Sequence, residues 1–220
     1  MHNSELRAAR LRSLFDSQAN RWEEVLIEYD YQMPKIVLNT LTLLSISPSS
    51  HLDLGCANGH LGFVMDRSGF RCDRQGVDIS SEMVRVAGET GSYSLTVEAN
   101  LEDGIPEELN SSFDLITALG MFEFLEDPRA ALSGARDLIL PHGHALLTFK
   151  CSKPELGQSG SMSSPNLNNG KPIQTWHHSK TEVNEILHAT RWNLRSIDKF
   201  DAYCRETPVE YWFVVATPTK

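Results

Sequence analysis

The chain predicts an α/β fold in which helices wrap a mostly parallel sheet behind an N-terminal helical cap. Three observations carry that expectation. A short apolar run, Leu52-Asp53-Leu54, leads into glycines at 55, 59 and 62, as a buried strand does when it turns sharply into a helix. A second apolar segment ends in Val77-Asp78-Ile79-Ser80, an acid where a nucleotide-binding α/β fold holds a ribose. Beyond it, strand-like and helix-like stretches alternate regularly, and parallel neighbours require such crossovers.

Taken in order, residues 1–45 read as helices, with Leu11, Leu14, Phe15, Ala19, Trp22, Val25 and Leu26 at three- and four-residue spacing. Pro34 fits the first turn of the last of these, where no amide donor is needed. Asn58 is a cap for a helix carrying Leu61, Val64 and Met65 inward, and Ser80 caps one carrying Met83, Val84 and Ala87. Strands are expected at 73–79, 94–98, 113–119 and 145–149. Between the last two, Asp127-Pro128 opens a helix that Pro141-His142-Gly143 stops. Residues 151–178, rich in Ser, Gly, Asn and Pro, read as a long loop. Ser179-Lys180-Thr181-Glu182 is a capping box, and the runs 194–203 and 209–217 are expected to pair as an antiparallel hairpin at the sheet edge.

Composition narrows the function classes. The 220 residues suit one domain, and 40% hydrophobic with 22% charged residues is ordinary globular usage. A net charge of −9 speaks against tracking nucleic-acid phosphates and favours a small-molecule or protein acceptor. Cys56, Cys72, Cys151 and Cys204 form no paired motif, and no leader or membrane-length apolar run is seen, so a cytoplasmic protein without a membrane partner is expected. No metal site is expected, since His142-x-His144 has no further ligand nearby.

Asp53-Leu54-Gly55-Cys56-Ala57-Asn58-Gly59, Val77-Asp78-Ile79-Ser80, Phe113-Asp114-Leu115-Ile116 and Glu123-Phe124-Leu125-Glu126-Asp127-Pro128 together resemble the motifs of the class I S-adenosylmethionine-dependent methyltransferases. The spacing of Phe15-Asp16, Ala19 and Tyr31-Gln32-Met33-Pro34, with His178-Ser179 late, is similar to predicted methyltransferases sometimes joined to tetratricopeptide repeats. The resemblance implies a Rossmann-like seven-stranded sheet ending in an antiparallel hairpin. It divides the chain into a cap or lid at 1–45, a cofactor-binding half at 46–150, the long loop, and a C-terminal helix and hairpin at 179–220.

It also implies S-adenosylmethionine as cofactor. Asp53, Gly55, Cys56, Ala57 and Gly59 form the loop against which its methionine end would lie, with Ala57 where the pattern has a glycine. Asp78 would accept from both ribose hydroxyls, because an ionised carboxylate offers two acceptor oxygens. Ile79 and Met83 would flank the adenine, and Asn100, followed by Leu101, would accept from its amine or donate to a ring nitrogen in place of the usual acid, with Glu98 or Glu102 as alternatives. Leu119, Gly120, Met121 and Phe122 are expected beside the cofactor, with Phe122 and Glu123 directed to the pocket or the following helix. Gly120, where many relatives carry an acid, argues against a magnesium-assisted catechol-type site, and Phe124 removes a histidine that could serve as base. His178, Glu123 and Tyr31 are the candidate catalytic residues, Tyr31 through the lid.

The expected reaction is in-line methyl transfer to a small-molecule acceptor, with alignment and exclusion of water supplying most of the rate. Other readings stay open: attack on a different sulfonium carbon with release of methylthioadenosine, or a module that binds the cofactor without turnover. A dinucleotide oxidoreductase is a further reading, against which stands His60 at that motif's third glycine.

Overall fold

The computed structural model describes residues 3–152, 160–164, 173–205 and 208–219. Helix α1 (Asn3–Gln18) passes through a 3₁₀ turn at Ala19–Arg21 into α2 (Trp22–Glu28), and α3 (Met33–Leu43) begins with Pro34 in its first turn. Then follow β1 (Ser50–Leu54), α4 (His60–Arg67), β2 (Asp73–Asp78), α5 (Ser81–Glu89), β3 (Leu95–Glu98) and β4 (Phe113–Ala118). The chain closes with α6 (Arg129–Leu138), β5 (Ile139–Lys150), β6 (Gly160–Ser164), β7 (Ile173–His177), α7 (Lys180–Ala189), β8 (Trp192–Tyr203) and β9 (Val209–Pro218).

Seven strands form one sheet in the order β3-β2-β1-β4-β5-β9-β8. The first five are parallel, while β9 runs antiparallel to both β5 and β8. The chain moves outward from β1 through β2 to β3, then returns to β1's other side with β4. That reversal leaves a crevice beyond the carboxyl ends of β1 and β4, the place where such sheets bind ligands.

Strand residues alternate between two helical layers because successive side chains point to opposite faces. Leu115, Leu146, Phe213 and Val215 pack with Val37 and Leu41 of α3 and Leu61 and Met65 of α4. Ile116, Ala118, Leu147, Phe149, Val214 and Ala216 pack with Leu132 and Ala135 of α6 and Val183 and Leu187 of α7. The caps follow the local sequence. Ser80 Oγ accepts from Met83 N at 3.1 Å, and Ser179 and Glu182 exchange bonds of 3.2 and 2.6 Å. Asp127 Oδ1 accepts from Arg129 N at 3.0 Å, so α6 starts one residue after the proline.

Two expectations need correction. Pro141-His142-Gly143 does not separate helix from strand: β5 already begins at Ile139 and continues through it with a shifted register against β4. Gly143 permits this, since a Cβ there would lie 3.0 Å from the carbonyl oxygens of Phe113 and Asp114. Nor is 151–178 wholly loop. β6 and β7 pair antiparallel, and Ile173, Thr175 and His177 alternate as buried residues against exposed or half-buried Gln174 and Trp176. That period-two pattern is a strand signal written largely in polar residues. The remainder of the expected loop, 153–159 and 165–172, lies outside the described residues.

Gly62 in α4 faces the ring of Tyr93, and a Cβ at 62 would come within 2.6 Å of it. Gly62→Ala should therefore lower stability by about 1–3 kcal/mol through overpacking. Urea denaturation measures this, and an unchanged midpoint would mean that the ring moves freely.

Candidate functional site

The crevice at the switch point is roofed into a cavity of about 280 Å³. Its floor is the turn after β1. Gly55 N and Cys56 N both donate to Val77 O, at 2.8 and 3.0 Å, and Ala57 N donates to Asp78 Oδ2 at 3.0 Å. Gly55 has φ +72, and a Cβ there would meet Met121 Cβ at 2.8 Å, so both the backbone angle and the close approach require glycine. Ala57 has φ +46, a left-handed conformation that costs a non-glycine residue about 1–2 kcal/mol. Asn58 Oδ1 accepts from His60 N at 3.3 Å where α4 begins.

A buried polar chain supports this floor. Arg74 Nε donates to His51 Nδ1 at 2.9 Å, which leaves the His51 proton on Nε2, 2.7 Å from Thr117 Oγ1. Thr117 Oγ1 donates to Asp53 Oδ1 at 2.6 Å, and Tyr93 OH donates to Asp53 Oδ2 at 2.7 Å while accepting from Gly62 N at 3.3 Å. Burial holds His51 well below the usual imidazole range, and the Arg74 cation pushes the same way. Burial pushes the Asp53 carboxyl up, while Thr117, Tyr93 and Arg74 oppose it.

Along one wall lie Asp78, Ile79, Met83, Ala99, Asn100 and Leu101. Asp78 Oδ1 accepts from Ser80 N at 3.0 Å, and the burial of its carboxyl raises its pKa to about 6 against these backbone bonds. Each of its oxygens keeps a lone pair for a ligand hydroxyl. Asn100 Oδ1 accepts from Glu102 N at 3.2 Å, which takes one of the oxygen's two lone pairs and leaves its amide able to fill both roles expected from sequence, acceptor and donor. Leu119 and Gly120 continue the lining from the end of β4.

The other end of the cavity is aromatic. Tyr31 and Tyr203 lie with ring centroids 5.1 Å apart, and Tyr211 lies 6.3 Å beyond Tyr203. Glu123 and Lys150 complete this end. Tyr211 OH donates to Glu123 Oε1, whose carboxyl is raised by burial and lowered by Lys150 and by Tyr211. The cover is α1, which places Arg7, Ala8, Leu11 and Phe15 against the cavity. It is tied down by Arg12 Nε to Ile79 O at 3.2 Å, by Ser80 Oγ to Asp16 Oδ1 at 2.6 Å, and by Arg7, which pairs with Glu102 and Glu126.

Tyr31 and Glu123, and with them Asp53, Gly55, Cys56, Ala57, Asp78, Ile79, Met83, Asn100, Leu101 and Leu119, are thus brought to one cavity. Three expected residues are not among its lining. Gly59, at φ +82, faces Ala87 and Tyr93, so its missing Cβ admits α5 rather than a ligand. Phe122 is fully buried and stacks on Phe149 at 4.7 Å, because the 3₁₀ turn at Phe122–Phe124 sends it into the core and Glu123 to the cavity. His178 stands edge-on to Phe149 at 5.4 Å, buried outside the lining. Trp176 lies under the Arg7 guanidinium, 4.8 Å from its ring centroid. The sequence reading missed Tyr93, Arg7, Lys150 and Tyr211. Tyr211 sits in an alternating strand where it looks like core, and Tyr93 in a Gly-Ser-Tyr-Ser turn that carries no periodic signal.

A methyltransferase-domain family model matches residues 27–197. A ubiquinone biosynthesis O-methyltransferase of Photorhabdus laumondii is 30% identical over 145 residues, 61% of this chain and 58% of that protein. Its counterpart in Xanthomonas oryzae pv. oryzae is 29% identical over 156 residues, 67% of this chain and 61% of that one. The chain thus spans about three fifths of the length of these curated relatives. Among solved structures, a 1,6-didemethyltoxoflavin-N1-methyltransferase of Burkholderia thailandensis with bound S-adenosylhomocysteine superposes with TM-score 0.71 at 16% identity, covering 100% of this chain and 92% of the other. Magnesium protoporphyrin IX methyltransferase of Synechocystis, also with bound S-adenosylhomocysteine, gives 0.70 at 16%, covering 97% and 100%. At these identities the superpositions speak for the fold.

Removing the Tyr93 hydroxyl takes one donor from the buried Asp53 carboxylate. Tyr93→Phe should cost about 1–3 kcal/mol at neutral pH. Tyr93 lowers the Asp53 pKa, so its contribution is present where Asp53 is ionised and fades as pH falls. Denaturation curves of both proteins at neutral and acid pH should therefore converge on acidification, and parallel curves would contradict the network.

Proposed function

Because the chain belongs to the class I S-adenosylmethionine-dependent methyltransferases, we propose that it moves a methyl group in line onto a small-molecule acceptor seated at the tyrosine end of the cavity. The observation that carries this reading is that one cavity joins the Asp78 and Asn100 wall to the Tyr31, Tyr203 and Glu123 end across the Gly55–Ala57 floor. A covered cavity of about 280 Å³ suits a compact acceptor better than a macromolecule's surface. The net charge of −9 likewise weighs against nucleic acid. Among the described residues no helix is long and apolar enough to cross a membrane.

The donor set fits the cofactor. Asp78 would take the ribose hydroxyls on its remaining lone pairs, Ile79 and Met83 would flank the adenine, and Asn100 would donate to a ring nitrogen. The turn Gly55-Cys56-Ala57, which lines the cavity, would lie against the methionine end. When bound, S-adenosylmethionine supplies a methyl carbon already activated by its positively charged sulfur. The chain's part is then to align the acceptor and to keep water out, which α1 does by covering the cavity.

Incubation with labelled S-adenosylmethionine and a panel of small hydroxyl, amine and thiol acceptors should yield S-adenosylhomocysteine and one methylated product by mass. Methylthioadenosine without a methylated product would refute the reading. Asp78→Ala should weaken cofactor binding by about tenfold to a hundredfold, the value of a bond to a charged group. Only the ionised Asp78 can take both hydroxyls, and its pKa is about 6. Cofactor affinity by calorimetry should therefore be about tenfold weaker at pH 5 than at pH 7, and Asp78→Asn should flatten that dependence.

A further inference from the structure

Glu123 is 3% exposed and lines the cavity, yet only one of its carboxylate oxygens is engaged. Oε1 receives the Tyr211 hydroxyl, whereas Oε2 is fully buried with no hydrogen-bond partner. A buried carboxylate oxygen without a donor carries a desolvation cost that a ligand hydroxyl or amine can remove. The neighbourhood limits what that ligand is. Tyr31 on the segment before α3, Tyr203 on β8, Tyr211 on β9 and Lys150 on β5 are the titratable groups around Glu123. Burial raises all three phenols, and the Glu123 charge raises them further, so they stay protonated at neutral pH. That leaves Glu123 as the base of this end. The Lys150 ammonium disfavours a cationic acceptor and favours one that becomes anionic as it reacts. The tilted faces of Tyr31 and Tyr203 suit a flat ring.

We propose that the acceptor is a ring hydroxyl and that Oε2 of Glu123 takes its proton, with Tyr211 positioning the carboxylate. The inference rests on the methyl-transfer reading above. In the step, the acceptor O–H proton passes to Oε2 as the oxygen's electron pair bonds to the methyl carbon. The carbon–sulfur bonding pair stays on sulfur, which leaves as a neutral thioether, and Glu123 later returns the proton to water. Gly120, at φ +65, turns the chain at this corner in a left-handed conformation that favours glycine.

The test uses the full chain saturated with S-adenosylhomocysteine, with 4-nitrophenol as the probe and 4-nitroanisole, its methyl ether, as control. Difference absorbance should show saturable 4-nitrophenol binding to the wild type, weakened at least tenfold in Glu123→Gln, with 4-nitroanisole binding the two proteins alike. Cofactor-product binding must be equal in both proteins, measured by calorimetry. Its loss in the wild type would instead overturn the methyltransferase reading. Should Glu123→Gln fail to fold, Tyr211→Phe serves: removing the hydroxyl that lowers the Glu123 carboxyl should move the pH midpoint of probe binding upward. Wild type that binds S-adenosylhomocysteine but not 4-nitrophenol, equal phenol affinity in Glu123→Gln, or an unmoved midpoint in Tyr211→Phe would each overturn the proposal.

Discussion

The carboxylate of Asp53 is the constraint on which the rest depends. It sits at the end of β1, buried, where the sheet reverses direction, and it is held by Thr117 from β4 and by Tyr93 from the turn before β3. A charge in such a place is tolerable only when its oxygens are satisfied. The donors come from both sides of the crevice, so satisfying the charge also ties the two halves of the sheet together under the glycine turn. Arg74 and His51 extend the same chain: a cation that cannot lose its proton sets the imidazole tautomer, which in turn orients the threonine.

Glycines in this region serve two purposes that the sequence does not distinguish. Gly55 turns the chain at the cavity floor with positive φ and leaves room for Met121. Gly59, Gly62 and Gly76 instead surround Tyr93, each without a Cβ where the ring approaches. A glycine-rich motif is therefore partly a cavity floor and partly a slot for the aromatic residue that carries the hydroxyl to Asp53. The floor and its support are one object, and strain at Ala57 is held by the bond from its amide to Asp78.

The family match ends where this chain's own character begins. Residues 27–197 include the Asp53 and Asp78 loops, Glu123 and Lys150. The helix that covers the cavity, with Arg7, and two of the three tyrosines at its far end, Tyr203 and Tyr211, lie outside the matched span. The matched span thus holds the Asp53 and Asp78 side of the cavity, while its cover and much of its tyrosine end come from segments remote in sequence. Arg7 illustrates this: one guanidinium pairs with Glu102 and Glu126 and lies over Trp176, which joins α1 to both rims and to the β6–β7 hairpin.

The sheet, its hairpin, the caps at Ser80 and Ser179 and the Asp78 wall were legible because each rests on local periodicity or a short spacing. What lies on one strand or one turn can be read one-dimensionally. The β6–β7 pair escaped because its alternation is carried by threonine and histidine, and the early start of β5 because proline and glycine there mark a shifted register rather than a stop. Phe122 was misplaced for a related reason: spacing tells that a residue is near a loop, but a single 3₁₀ turn decides which neighbour faces the core, while the bridge of His178 to Cys151 sets its ring against Phe149. By itself the sequence determined the fold class, the glycine floor and the acid that faces it, since backbone geometry demands those residues at those positions. Only the tertiary structure decided that Tyr93 holds Asp53, that α1 lies over the cavity, and that Glu123 meets Tyr211, because those contacts join segments that no local pattern couples.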